Sequence, residues 1–142
     1  MTSGAPRDPA AKGRGPVTLR RRLAHADLAA VSEVRGALRE FLRYRWHDEP
    51  AGVAELLLSE VVTNALIHTA HGAVVTASVA PAGLRVEVRD FVPGLPLSYV
   101  PDADDGTHGR GLLLVKALAD AWGVSPQALG KVVWFELDGG RP

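Results

Sequence analysis

Three groups of residues in this chain have the type and spacing to do chemistry. The first is Glu60 with Asn64, one helical turn apart inside the apolar run ELLLSEVVTNALIHT at residues 55–69. A carboxylate and a carboxamide in so apolar a helix cost desolvation unless something pairs with them. Asn64 offers the oxygen that Mg²⁺ prefers, and Mg²⁺ commonly shares its shell with nucleotide phosphates. Glu60 could then take a proton from an attacking hydroxyl or water. Taken alone, the same two residues read first as lining the solvent side of an amphipathic helix, so the pair needs corroboration elsewhere in the chain. The second group is Asp90 alone. In residues 84–90 it has the parity of Leu84, Val86 and Val88, whereas Arg85, Glu87 and Arg89 have the other. An inward carboxylate must accept hydrogen bonds, and a purine amino group is a suitable donor; an Asp at a strand end also starts turns. The third is GTHGRG at residues 106–111, opening a helix. Glycines there let backbone N–H groups approach an anion, and the helix dipole favours negative charge. The spacing is neither that of a P-loop nor that of a dinucleotide fingerprint. A glycine pair ahead of a helix also serves as a joint and cap.

The elements that must position these groups follow from periodicity. Residues 1–16, rich in Gly, Pro, Ala and charge, read as a disordered arm. Val17, Leu19 and Leu23 suggest a first strand at a sheet edge, with Arg21 breaking the alternation. Asp27 is placed to cap a helix through Val31, Val34, Leu38 and Phe41, ending near Tyr44. Asp48, Glu49 and Pro50 start the organising helix, whose buried face carries Leu58, Val61, Val62 and Ala65, and Gly72 is placed to end it. Residues 73–80 and 84–90 read as a hairpin around Pro81, Ala82 and Gly83. Residues 91–107 hold three prolines and no periodicity, as lids and binding loops do. A third helix is expected over residues 112–122, stopped by Gly123. Residues 131–137 close the chain as a strand with Val133, Phe135 and Leu137 on one side, and residues 138–142 form a tail.

Composition removes other function classes. The 142 residues suit one domain with a single core. Sixteen Lys and Arg balance sixteen Asp and Glu, so the chain as a whole is neither a basic nucleic-acid binder nor an acidic mimic. Residues 1–22 do hold six basic residues (Arg7, Lys12, Arg14, Arg20, Arg21, Arg22) against Asp8, but no aromatics interleave with them to stack on bases. The absence of cysteine removes disulfides, thiolate zinc sites and cysteine nucleophiles, and is compatible with a reducing cytoplasm. Neither a signal-peptide core nor a run long enough to span a bilayer is found, so a cytoplasmic protein without membrane partners is expected. His68 and His71 read as a helix-end and loop pair rather than a metal site, and Trp122 and Trp134 as core or interface residues.

Taken in order, SEVVTNALIH, VEVRDFVPGLP, GTHGRGLLLVKALADAWGV and GKVVWFEL resemble the GHKL-type, histidine kinase-like ATP-binding domain shared by gyrase, histidine kinases and heat-shock chaperones. Within it the likeness is to the small anti-sigma regulatory factors with serine/threonine protein kinase activity. The resemblance runs from about Val17 to Leu137. It implies an α+β fold, a two-layer α/β sandwich with a mixed, mostly antiparallel sheet, helices on one face and an ATP lid over residues 91–108. By the same resemblance Glu60 is the general base, Asn64 the Mg²⁺ ligand and Asp90 the contact to the adenine amino group. Gly94 is the later glycine of that box, and Gly109 and Gly111 lie at the phosphates, with Arg110 and Leu112 beside them and His108 flanking. Val92 stands where many relatives have glycine, and Val132-Val133 where a hydroxyl residue is often seen. The function implied is transfer of the γ-phosphate of Mg·ATP to a small antagonist protein, together with sequestration of a sigma factor. A non-catalytic ATP-dependent binding switch is the alternative. A full histidine kinase is not expected, for want of a phosphoacceptor hairpin ahead of the domain; a homodimer through the first strand and helix is suggested by relatives.

Overall fold

The computed structural model describes residues 17–24, 28–46, 48–67, 72–91 and 109–138. Strand β1 (Val17–Leu23) is followed by helices α1 (Leu28–Leu42) and α2 (Asp48–Ile67), then strands β2 (Ala73–Ala80) and β3 (Gly83–Asp90). Helix α3 (Gly109–Leu118) and strands β4 (Ala121–Pro126) and β5 (Lys131–Leu137) complete the described chain. The strands form one antiparallel sheet in the order β1-β2-β3-β5-β4. The α+β class, the two layers and the edge position of β1 are therefore as the sequence implies. The expected arm over residues 1–16, the cap at Asp27, and the tail beyond Asp138 lie outside the described residues.

Alternation builds the sheet's inner face. Leu19 and Leu23 of β1, Ala73, Val75 and Ala77 of β2, Leu84, Val86 and Val88 of β3, and Val133, Phe135 and Leu137 of β5 are all buried. The helix layer meets them with Val34, Leu38 and Leu42 of α1, Ala54, Leu57, Leu58, Val61, Val62 and Leu66 of α2, and Val115 of α3. Spacings of three and four along α2 set its apolar stripe, and Ala65, at the stripe's margin, is half-buried against the same core. Helix α2 packs on both α1 and α3 and lies over β2, β3 and β5, so it is the central element of the helix layer. Each fully buried Val, Leu or Phe contributes roughly 1.5–3 kcal/mol relative to exposure, which makes this shared core the main term holding the layers together.

The other face of the sheet carries a charged network beside Val74, Val132 and Trp134. Arg85 lies 2.8 Å from Glu87 and 2.7 Å from Glu136, with its guanidinium 4.3 Å over the Trp134 ring. Burial opposes the charge of Arg85, but its two carboxylate partners outweigh that and raise its pKa. Trp134 pairs across the sheet with Gly123, and a Cβ at that glycine would fall 2.8 Å from the indole.

Gly123 belongs to β4, which corrects the expected helix over residues 112–122. The helix runs Gly109–Leu118, and Ala121–Pro126 is a strand paired with β5. Asp120 makes the break: its backbone N–H donates to the Glu136 carbonyl at 2.9 Å, and its carboxylate accepts the Asp138 N–H at 2.7 Å. Two smaller boundaries also move. Helix α1 stops at Leu42, with Tyr44 exposed beyond it. Gly72 has the positive φ of a helix-ending glycine, 80°, but follows Ile67 by five positions and sits against the Leu23 carbonyl, allowing β1 and β2 to close together.

Candidate functional site

Asp90 ends β3 with its side chain on the helix side of the sheet. It is 2% exposed and is the one buried charged residue among the described residues. Strand alternation alone puts it there, after Leu84, Val86 and Val88. A carboxylate in that position costs several kcal/mol unless it is paired and hydrogen-bonded. The partner is Lys131, at the start of β5. Its backbone N–H donates to Asp90 Oδ1 at 3.2 Å and its Nζ to Oδ2 at 2.6 Å. Lys131 has the inward parity of Val133, Phe135 and Leu137 and is itself 16% exposed in its side chain.

The turn ahead of β5 is shaped around the same carboxylate. Gly130 has φ 81°, and a Cβ there would fall 2.2 Å from the Asp90 carbonyl oxygen and 2.8 Å from Oδ1. Only glycine allows so close an approach in that conformation. Arg89, on the outer face, donates to the Leu129 carbonyl at 3.4 Å and lies 4.7 Å from the Phe91 ring, which ties the end of β3 to the β4–β5 turn a second time.

Glu60 and Asn64 both lie on α2 and are both half-buried, off the buried stripe of Leu57, Leu58, Val61 and Val62. Asn64 is in the last turn. The chain then needs only residues 68–72 to reach Ala73, which is the cross-strand partner of Asp90. The end of α2 that carries Asn64 is thereby brought to the end of the sheet that carries Asp90. Helix α3 packs on α2 and starts at Gly109, so residues 109–112 form its first turn. The first four N–H groups of a helix have no partner within it and carry the positive end of the dipole. Gly94, His68, His71 and His108, and the lid beyond Phe91, lie outside the described residues.

Three packed elements therefore hold the residues singled out from the sequence: a half-buried Glu/Asn pair, a buried carboxylate, and a glycine-rich helix start. Trp134 is not part of this arrangement, since it lies on the opposite face of the sheet. Trp122, paired with Phe135, is half-buried against the core. Sequence reasoning missed Lys131, although its parity was the available signal. A separate groove of about 340 Å³ between α1 and α2, lined by Arg39, Leu42, Arg43, Ala51, Gly52 and Glu55, runs along the first half of α2 and not at the Asn64 end.

Among the described residues no group of three or more His or acidic side chains is gathered as a metal site. A cation bound beside Asn64 would take most of its ligands from phosphate and water, and Mg²⁺ accepts that arrangement readily. None of the helices is long and apolar enough to cross a membrane, among the described residues.

Comparison with known proteins gives the same architecture. Residues 24–137 match the family described as histidine kinase-like ATPase domain. No curated protein sequence matches the chain. Among solved structures, the RsbU and RsbW domains of Rv1364c from Mycobacterium tuberculosis match 89% of this chain with a TM-score of 0.68 and 24% identity, a likeness of fold. The histidine kinase domain of the Erythrobacter litoralis EL346 blue-light activated histidine kinase matches 78% with a TM-score of 0.53 and 26% identity. A longer structure of the EL346 protein matches 82% with a TM-score of 0.52 and 28% identity. This chain spans 33%, 59% and 42% of those three chains, respectively. With the match covering all but the first strand of the described fold, the chain belongs to the histidine kinase-like ATPase domain family.

Proposed function

We propose that this chain binds Mg·ATP between α2, the end of β3 and the start of α3, and transfers the γ-phosphate to a serine or threonine of a small antagonist protein. In the same reading it sequesters a sigma factor when not so engaged. The observation that carries the proposal is the burial of Asp90: a carboxylate 2% exposed at a strand end, on the face that also bears α2 and α3, within a histidine kinase-like ATPase domain.

Each residue then has a task. Asp90 accepts from the adenine amino group. The N–H groups of residues 109–112 receive the phosphates, with Gly109 and Gly111 leaving room and Arg110 and Leu112 alongside. Asn64 supplies the protein's oxygen to Mg²⁺, which, when bound, neutralises phosphate charge. Glu60 accepts the proton of the attacking hydroxyl. Gly94 and the lid over residues 91–108 would close over the nucleotide. The likeness in fold to a chain containing an RsbW domain supports protein partners and the regulatory role.

Glu60→Gln tests the enzyme reading. It keeps size and a hydrogen-bonding oxygen but cannot accept the proton, so Mg·ATP binding survives while transfer to a partner recovered from the native cell falls by roughly 10²- to 10⁴-fold. Equal transfer rates would remove Glu60 as the base. Absence of transfer by the unmodified protein, with binding intact, would leave the ATP-dependent binding switch instead.

A further inference from the structure

Lys131 lies in the segment GKVVWFEL, yet the proposed chemistry gives it no task, although it faces inward and is only 16% exposed in its side chain. The strand pairing makes its position systematic. Arg89 pairs with Val132, so Asp90 and Lys131 are the next positions along neighbouring strands, both on the helix side. Lys131 holds each carboxylate oxygen with a different donor, the backbone N–H at 3.2 Å and the ammonium at 2.6 Å. With one donor on each oxygen, this two-point grip fixes the plane and the direction of the carboxylate.

We infer that Lys131 is the positioning residue for base recognition: its two-point grip fixes the direction in which the Asp90 carboxylate points. The inference rests on the reading that Asp90 accepts from the 6-amino group of adenine. Removing one partner of a buried ion pair leaves an uncompensated charge. Without Lys131 the Asp90 carboxylate loses the two donors that orient it and turns toward water. That turn removes the oriented pair of acceptor oxygens on which the amino group depends. Lys131 therefore acts through Asp90 and needs no contact with the nucleotide.

The test compares two nucleotides that differ only at the group being read: ATP, and purine riboside triphosphate, which lacks the 6-amino group. Their affinity ratio isolates the amino contact from everything the phosphates and ribose contribute. In the unmodified protein, with Mg²⁺ present, the ratio should be on the order of ten to a hundred, the range for a hydrogen bond to a charged group. In Lys131→Met, which keeps the aliphatic stem, the ratio should fall to within about threefold of one, whereas Lys131→Arg should restore most of it. A merely structural role, such as fraying of β5, would weaken both nucleotides alike and leave the ratio unchanged, and that result would overturn the inference while sparing the role of Asp90. A ratio near one in the unmodified protein would instead overturn the base-reading role of Asp90, and the inference with it.

Discussion

If Asp90 reads the base as proposed, the sign of its charge decides what the site accepts. An ionised carboxylate accepts hydrogen bonds and donates none, so it suits the 6-amino group of adenine, whereas guanine presents a carbonyl oxygen there. ATP should therefore bind more tightly than GTP, by on the order of ten- to a hundredfold for one charged hydrogen bond. In Asp90→Asn the side chain regains a donor, and the discrimination should shrink mainly because ATP weakens. Competition of the two nucleotides against a fluorescent ATP analogue measures this, and equal affinities in the unmodified protein would show that Asp90 does not read the base. The inward direction of Asp90 was legible in the sequence because alternation along β3 is local: Leu84, Val86, Val88 and Asp90 carry it without help from other strands. Its pairing with Lys131 was not legible in the same way. That contact joins positions 90 and 131 and depends on which strand neighbours β3, which periodicity within either strand does not state.

Elements are joined by contacts of the same non-local kind. Helices α1 and α2 are braced by Glu55, 15% exposed in its side chain, whose carboxylate receives Arg39 through Nε at 3.1 Å and Nη2 at 2.5 Å, and Arg35 at 3.3 Å. The hydrogen bonds from Arg39 lead the effects that lower the Glu55 pKa below its ordinary 4.5; burial works the other way and is outweighed. A depressed carboxylate contributes stability that is present above its unfolded value and is lost as pH falls through its folded value. The melting temperature of Glu55→Gln should thus lie below that of the unmodified protein at neutral pH, and the gap should close on acidification below 4.5. A gap that stays constant with pH would mean the brace acts by packing and not by charge. Both helices and the β2–β3 hairpin follow from local patterns, and their bounds agree with the sequence reading to within a few residues. Strand β4 does not. Ala121 and Trp122 continue the apolar spacing of α3, and only the pairing with β5, with Trp134 lying over Gly123, makes residues 121–126 a strand.

For the molecule as a whole, the proposed ligand would bridge parts of a two-layer fold. The proposed nucleotide site draws on α2, the end of β3 and the start of α3, and α2 is also the helix that packs on α3, lies over β2, β3 and β5, and carries the core residues Leu57, Leu58, Val61 and Val62. A ligand bound there only in the folded state must stabilise the whole cooperative unit. The size of the effect follows from mass action: at 100 times its dissociation constant it adds about 2.7 kcal/mol. For a domain of this size that corresponds to a rise on the order of 10 °C in melting temperature. Thermal unfolding with and without saturating Mg·ATP is therefore the most direct measurement. A concentration-dependent rise of that order is expected, smaller when Mg²⁺ is withheld. An unchanged melting temperature at millimolar Mg·ATP, in a protein that unfolds cooperatively, would contradict nucleotide binding by this chain.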